Sequence, residues 1–469
     1  MKRIFMAMLV LIGLFAPLTA YAAEDKESAE RIQAFMDQAM EEYNIPGASL
    51  SVIHNGTPIF QDSWGERSNG EKITQDTTFL IGSVSKPLTS LAIMLLVEAE
   101  KIDLDGAIDD YIPWFTYESK GEGKMTVRQL LTHTSGIGVS DGLEVTDHFD
   151  SSNDIKGAAE RLSGVKLEHS PGDVYAYNSA NYLLLGAIIE EVSNQPFGSF
   201  MEEEVFSPLG MNNTAADYES AISNGFVPGY QSWFGYSIKG QEMFDRAGAP
   251  YGYMTSTTND LTKFLDFMMN GGDLLSEEGL QILKSPPSEV GKHYGFGWNF
   301  PKSGDKYPFH TGATPDHRAE VFFLPEENLG AVLLINKYHE FEAGAYLSMM
   351  EGVRSILKGE EPKLVSIDTG MQWISLGVVF LLIMVFGVSI YRLKMKETIN
   401  RRFWLGIGVI MLLLAGGMIP LFTLLAGVSW RTFGLFVPDL QLLIKIVVAV
   451  VGVYGAIVLW VAWKRRPAL

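Results

Sequence analysis

From Val84 to Glu98 the chain is apolar or small on nearly every side, with Leu88, Leu91, Ala92, Ile93, Met94, Leu95 and Leu96 leaving no clear polar face. A helix apolar all round is usually buried in the middle of a domain. Pro87 is tolerated only in the first turn of such a helix, which puts Ser83 at its N-terminus. Upstream, residues 25–43 have helix-forming composition and stop at Ile45-Pro46-Gly47. Ala48–Ile53 is apolar and β-prone, Asn55-Gly56 marks a tight hairpin turn, and Thr57–Trp64 reads as the returning strand. Residues 125–275 read as mostly helical and loop-like. After 290 the pattern turns β-rich again, over Tyr294–Phe300, Ala319–Leu324 and Gly330–Asn336. The last two are joined by Pro325-Glu326-Glu327-Asn328, a natural turn. Strands at both ends with helices between predict one antiparallel sheet built from both ends and packed against helices.

Three further apolar stretches, Gln372–Tyr391, Phe403–Ala426 and Gln441–Trp463, are each close to the ~20 residues that cross a bilayer as a helix. Arg392, Lys394, Lys396, Arg401 and Arg402 crowd the link between the first two, and Lys464-Arg465-Arg466 follow the third. The link 427–440 carries one base and one acid. The positive-inside rule then puts the first link and the C-terminus in the cytoplasm and residue 370 outside. The N-terminus points the same way. Lys2-Arg3, the apolar run Ile4–Leu18 and Ala20-Tyr21-Ala22 have the form of a signal peptide over 1–22. Lys445 falls near the outer end of the third span, within snorkelling reach of the interface.

Charge narrows the possibilities. The net charge is −19, and residues 23–370 hold 24 Lys/Arg against 53 Asp/Glu. Such a body repels nucleic acid. There is no cysteine, which excludes disulfides, thiolate nucleophiles and thiolate metal sites. The eight histidines show no metal-ligand spacing.

Ser83 and Lys86 stand three positions apart, about one helical turn, so their side chains share a face. A neutral amine there can take the serine's proton and make it a nucleophile. A helix N-terminus also favours a developing anion. Taken alone, the pair reads as well as a helix cap beside a surface lysine. Three other motifs follow it. They are Leu130-Leu131-Thr132-His133-Thr134-Ser135-Gly136-Ile137, then Pro171-Gly172-Asp173-Val174-Tyr175-Ala176-Tyr177-Asn178-Ser179 running on to Tyr182 and Gly186, then His310-Thr311-Gly312. In this order and spacing the sequence resembles the serine β-lactamase and penicillin-binding-protein superfamily, on its class C and D,D-peptidase/esterase branch, over about residues 27–355. Pro208-Leu209-Gly210-Met211, Gly252-Tyr253-Met254 and Phe323-Leu324-Pro325 agree with it.

The resemblance implies an α/β (α+β) fold, with a β-lactamase/transpeptidase-like antiparallel sheet and a helical subdomain, followed here by a three-helix transmembrane anchor. The hydrolase domain would run over 23–355, a linker over 356–371, and the spans over 372–391, 403–426 and 441–463. It implies Ser83 as the acylated nucleophile and Lys86 as its base or proton relay. Tyr177 would share the proton traffic and serve deacylation, with nearby cations such as Lys86 lowering its proton affinity. Ser179 stands where asparagine is usual, with a shorter reach toward a substrate amide or Lys86. His310 stands where lysine is common, which points away from efficient β-lactam hydrolysis. Thr311 and Gly312 would line a strand edge, and the N–H groups of Ser83 and Ala313 would form an oxyanion hole. No metal or organic cofactor is implied.

Signal, body and spans together resemble the membrane-anchored prodrug-activating D-amino peptidases of the colibactin and zwittermicin type, which remove an N-acyl-D-asparagine cap after export. The expected partners are therefore a small peptide-like substrate with a D-amino acid, either a cell-wall stem or an exported natural product, and the lipid bilayer. The competing readings are an esterase or weak β-lactamase, and a non-catalytic peptidoglycan- or β-lactam-binding sensor. The short cytoplasmic link 392–402 argues against the sensor. Three features read as bystanders. Thr314-Pro315-Asp316-His317-Arg318 reads as a surface turn with an Asp–Arg pair, ahead of a basic pair that binds a substrate carboxylate. Gly138-Val139-Ser140-Asp141-Gly142 fits G-x-S-x-G without the strand that motif needs before it. His133, in a loop after a helix, reads as a structural ligand of nearby backbone.

Overall fold

The computed structural model describes residues 26–464 apart from 120, 122, 287–289, 291–292 and 303–306. The expected signal peptide and Arg465-Arg466 lie outside the described residues. The chain divides into two units. One holds residues to Tyr230, Lys239–Tyr338 and Glu342–Ile367; the other holds Gln231–Ile238, His339–Phe341 and Asp368 onward.

In the first unit, β1 (Gly47–His54) and β2 (Thr57–Gly65) form the hairpin, turning at Asn55 and Gly56 with φ of 51° and 72°. From the other end of the body come β3 (Phe309–Ala313), β4 (Arg318–Leu324) and β5 (Leu329–Ile335). All five make one antiparallel sheet in the order β2-β1-β5-β4-β3. The two ends of the body meet at β1 and β5, with Ala48 opposite Ile335 and Val52 opposite Ala331. Strands β4 and β5 are buried along almost their whole length, so they read as apolar runs rather than alternating ones.

One face of the sheet, through Ala319, Val321, Phe323, Val332 and Leu334, joins a core with the central helix α2 (Ser85–Glu98). This α2 is buried on nearly every side, as its sequence predicts, and Pro87 falls in its first turn. The same core takes in α3 (Val127–Leu131), α4 (Ser179–Ser193) and α5 (Thr258–Asn270). On the opposite face Phe322 meets the guanidinium of Arg354 from α6 (Ala343–Leu357), 5.3 Å from the ring centroid.

Two expectations need correction. Tyr294–Phe300 is not a strand. Its chain folds back on itself, with Gly295 N bonded to Trp298 O. Gly297 has φ +83° and sits so close to Pro87 that an added Cβ would lie 2.8 Å from the proline Cα. The loop carries Tyr294 into the interior, where it is fully buried. The linker 356–371 is not free chain either. Arg31 donates to Glu360 O at 2.6 Å, Tyr43 to Val365 O at 2.8 Å, and Val365 N to Ser348 Oγ at 3.2 Å, so its first half is tied to the body.

The second unit contains α7 (Gly370–Met395), α8 (Arg401–Ala426), α9 (Trp430–Phe436) and α10 (Pro438–Lys464). Helices α7, α8 and α10 are long and apolar enough to cross a membrane. They overrun the predicted spans by one to four residues at their ends, except that α8 stops at Ala426 as expected, and the short helix α9 occupies a link that reads as loop. Asp439, at the start of α10, is fully buried. It accepts from His339 Nε2 at 3.1 Å and from the backbone N–H of Phe234 at 3.0 Å.

Candidate active site

Ser83 lies in a single 3₁₀ turn, Gly82–Val84, that leads from the sheet side into α2. Gly82 has φ +53°, and β3 presses against it, so a Cβ on Gly82 would overlap Ala313 N and one on Gly312 would overlap Ile81 O. The same Gly312 Cβ would sit 2.9 Å from Ser83 N. Only residues without side chains let these two backbones approach so closely. The approach brings the Ser83 and Ala313 amides to one junction, beside the serine hydroxyl. Phe309, at the far end of β3, pairs through both its N–H and C=O with Asn299. Among the described residues no strand covers the outer edge of β3 beyond that pair, along Thr311–Ala313.

Lys86 is fully buried. Its Nζ lies 2.8 Å from Ser83 Oγ and donates to the carbonyl of Tyr251 at 2.6 Å. That carbonyl belongs to a turn, Ala249–Tyr253, that closes over the start of α2. Burial drives the lysine's pKa down to about 7, with Asp147 pulling weakly the other way. Among the described residues no carboxylate touches it, so the amine held against the serine gives up its proton far more readily than an ordinary lysine.

Tyr177 reaches the same point from the loop before α4. Lys86 Nζ sits 5.0 Å from its ring centroid, and its hydroxyl bonds to Ser83. Burial raises the phenol's pKa, and the bond to Ser83 only partly offsets this. The lowering expected from a nearby cation such as Lys86 does not prevail: burial dominates, and Tyr177 holds its proton more tightly than a free phenol. The next residue, Asn178, caps α4 by accepting from Ala180 N. The Ser179 hydroxyl makes no bond to Lys86, whose partners are Ser83 and Tyr251.

His310 reaches the same cluster from β3, its ring centroid 6.4 Å from that of Tyr177. Its Nδ1 bonds to Thr311 O at 2.8 Å, and its Nε2 lies 3.1 Å from the Tyr294 hydroxyl. Burial, helped by Lys86, lowers its pKa to about 3. The imidazole is therefore neutral and presents no cation to a substrate. Thr311 alternates to the other face of the sheet, in register with Glu320, so its side chain does not share the His310 face.

Sequence reasoning missed much of the surround. His133 has φ +55°, is buried, and accepts from Asn178 N at 3.2 Å and Asn181 Nδ2 at 3.0 Å. The backbone role read for it is present. It also packs its ring on Tyr177 at 4.4 Å and on Tyr294 at 4.6 Å. Tyr182 donates to Leu131 O at 3.0 Å and lies 5.7 Å from Lys86 by its ring centroid. These rings form the apolar wall that desolvates the amine. The Asp316–Arg318 turn is corrected as well. Asp316 pairs with His317 at 2.9 Å and Arg318 with Glu320 at 3.6 Å, all four buried. They form neither a surface turn nor a basic pair open to substrate. Ser140 of the G-x-S-x-G match is exposed on a helix, Val139–Val145.

A family model described as Beta-lactamase matches residues 32–351. Protein flp of Staphylococcus aureus strain MW2 is 27% identical over 324 residues, 67% of this chain and 64% of that one. The chain thus spans slightly under two thirds of that relative's length. Esterase EstB of Burkholderia gladioli is 30% identical over 214 residues, 42% of this chain and 53% of the esterase. Among solved structures, the octameric penicillin-binding protein homologue from Pyrococcus abyssi superposes with a TM-score of 0.61 at 24% identity, covering 71% of this chain and 78% of that one. That likeness is one of fold.

Proposed function

The chain belongs to the Beta-lactamase family, and from that premise we propose that it is a serine acyl-transfer hydrolase acting through an acyl-enzyme at Ser83. The observation that carries the reading is the fully buried Lys86 amine, its pKa lowered to about 7, 2.8 Å from the serine oxygen. In the first step Ser83 Oγ attacks a carbonyl carbon while its proton passes to Lys86 Nζ. The carbonyl oxygen becomes an oxyanion facing the amides of Ser83 and Ala313. Collapse expels the amine or alcohol, which takes a proton from the Lys86 ammonium, with the Tyr177 hydroxyl as the relay. Water then attacks the ester carbonyl at Ser83 while its proton passes to Lys86 Nζ; collapse breaks the bond from the acyl carbon to Ser83 Oγ, the acid leaves, and Lys86 returns the proton to Oγ. Because Tyr177 keeps its proton, its part is relay and donor, not base.

The substrate is read as an amide next to a D-amino acid, met on the outer side of the cytoplasmic membrane. The exposed edge of β3 suits a substrate that lies extended and pairs its backbone with the strand. A neutral His310 and an acidic body favour a substrate without a free carboxylate near the scissile bond. The three apolar helices would hold the domain at the membrane, with the C-terminus in the cytoplasm. A second reading, ester hydrolysis, is favoured by the match to EstB. The test is turnover by the full chain of an N-acyl-D-asparaginyl anilide, a D-Ala-D-Ala peptide and a p-nitrophenyl ester. The amide reading expects the capped D-amide, which has no free carboxylate, to be cleaved, and faster than the D-Ala-D-Ala peptide, which carries one beside its scissile bond. Ester turnover with no D-amide turnover would replace that reading with the second.

A further inference from the structure

Helices α7 and α8 both pack on α10 and touch each other little. Toward the α7 C-terminus this leaves a cleft of about 510 Å³, within the ~300–1,000 Å³ of sites that hold small molecules. Its wall is one stripe of α7 with Trp404 opposite, from the first turn of α8. Val385 and Val388 make the stripe apolar for most of its length, Leu393 closes the floor, and Arg392 and Lys396 stand at one end. The one polar residue in the middle, Ser389, is already bonded to Tyr454 at 2.8 Å. From Met384 to Lys396 the stripe is about 18 Å long. One turn before Trp404, the Nε of Arg401 is shielded from water and has no hydrogen-bond partner.

We propose that this cleft binds one anionic phospholipid. The long apolar stripe suits an acyl chain. Arg392 and Lys396 supply the charge that a headgroup phosphate would meet at the chain's end, and Trp404 has the amphipathic ring favoured at that depth. Basic clefts between membrane helices commonly hold such headgroups. A general cationic rim would attract anionic lipid without choosing a place. Here the charges close one end of an apolar slot. The inference rests on reading α7, α8 and α10 as spans and is independent of the chemistry at Ser83.

The test uses the full chain in a neutral detergent, with lipid retention read by native mass spectrometry against phosphatidylglycerol, phosphatidylcholine and glycerol 1-phosphate. Wild type should retain one phosphatidylglycerol, at least tenfold more tightly than phosphatidylcholine, and no glycerol phosphate. Arg392→Gln with Lys396→Gln should remove that preference. Val388→Trp, which fills the slot and leaves the charge unchanged, should remove it too. Lys394→Gln loses one charge at the same end outside the slot and should retain it. Labelling of Ser83 by a fluorophosphonate monitors that each variant is folded. Equal retention of both lipids by wild type, or full retention by Val388→Trp, would overturn the site, and binding of glycerol phosphate alone would make it a free-phosphate site. Release of the chain from membranes by alkaline carbonate would instead overturn the reading of the helices as spans.

Discussion

At the scale of single residues, the decisive feature is a cation site with its counter-charge left out. Lysine normally loses its proton near pH 10.4. Burying Lys86 against Ser83, the Tyr251 carbonyl and tyrosine rings brings that to about 7. The sign of the pH dependence follows. Below pH 7 the amine is protonated and cannot accept the serine's proton, and above it the base is free. We expect kcat/KM to rise about tenfold per pH unit below 7 and level off above it, as a pH–rate profile with a neutral substrate would show. The same burial opposes folding. Between pH 7 and about 10 the unfolded chain binds a proton there that the folded one does not, so stability rises with pH across that window. Lys86→Met should therefore abolish turnover while raising the thermal midpoint measured at pH 7. A lower midpoint would mean that the amine's bonds outweigh its desolvation.

At the scale of elements, the site depends on how closely β3 approaches the turn before α2. Gly82 and Gly312 permit it, and a Cβ on Gly312 has nowhere to go but into Ile81 O. Gly312→Ala should push β3 away and displace the Ala313 amide from the oxyanion position. Losing one such donor typically costs ~10²–10³ in rate. Steady-state kinetics should show that loss in kcat, with a circular dichroism spectrum like that of wild type. A variant within threefold of wild type would remove Ala313 from the hole. This scale also shows what the sequence could tell. Ser83, Lys86, Tyr177 and His310 were legible because each sits in a short motif whose spacing fixes its neighbours. The Tyr251 carbonyl was not, since a backbone acceptor has no residue signature. Tyr294 was hidden in a stretch with strand composition, bent at Gly297, which packs on Pro87 over two hundred residues earlier. His133 was read for its backbone bond alone, because its stacking on Tyr177 exists only once two loops have met.

At the scale of the whole molecule, β1, β4 and β5 were legible because they are apolar enough to announce themselves and β2 because the hairpin turn precedes it, whereas the short β3 has no such pattern and a strand edge at Thr311 and Gly312 was expected from the resemblance alone. The three long apolar helices were legible for the same reason, whereas α9 was not, since seven residues between two such helices carry no clear period. The pinned linker was missed because polar residues such as Lys358, Glu360 and Glu361 look solvated whether or not the backbone beside them is tied down. The absence of cysteine makes the topology directly measurable. Single replacements Ser366→Cys, before α7, and Thr398→Cys, between α7 and α8, fall at exposed positions. In intact cells a membrane-impermeant maleimide should label the first and not the second, and lysis should expose both. Labelling of Thr398→Cys alone in intact cells would invert the orientation and put the serine on the cytoplasmic side.

The central claim is that Ser83 carries the acyl group during turnover. The most direct measurement is peptide mass spectrometry of the full chain quenched in acid while it turns over a D-amide or p-nitrophenyl ester, using Tyr177→Phe to slow release of the acyl group. The account predicts a mass increase equal to the substrate's acyl group on the peptide containing Ser83, absent from Ser83→Ala. Turnover with that peptide unmodified, or with the acyl group on another residue, would contradict it.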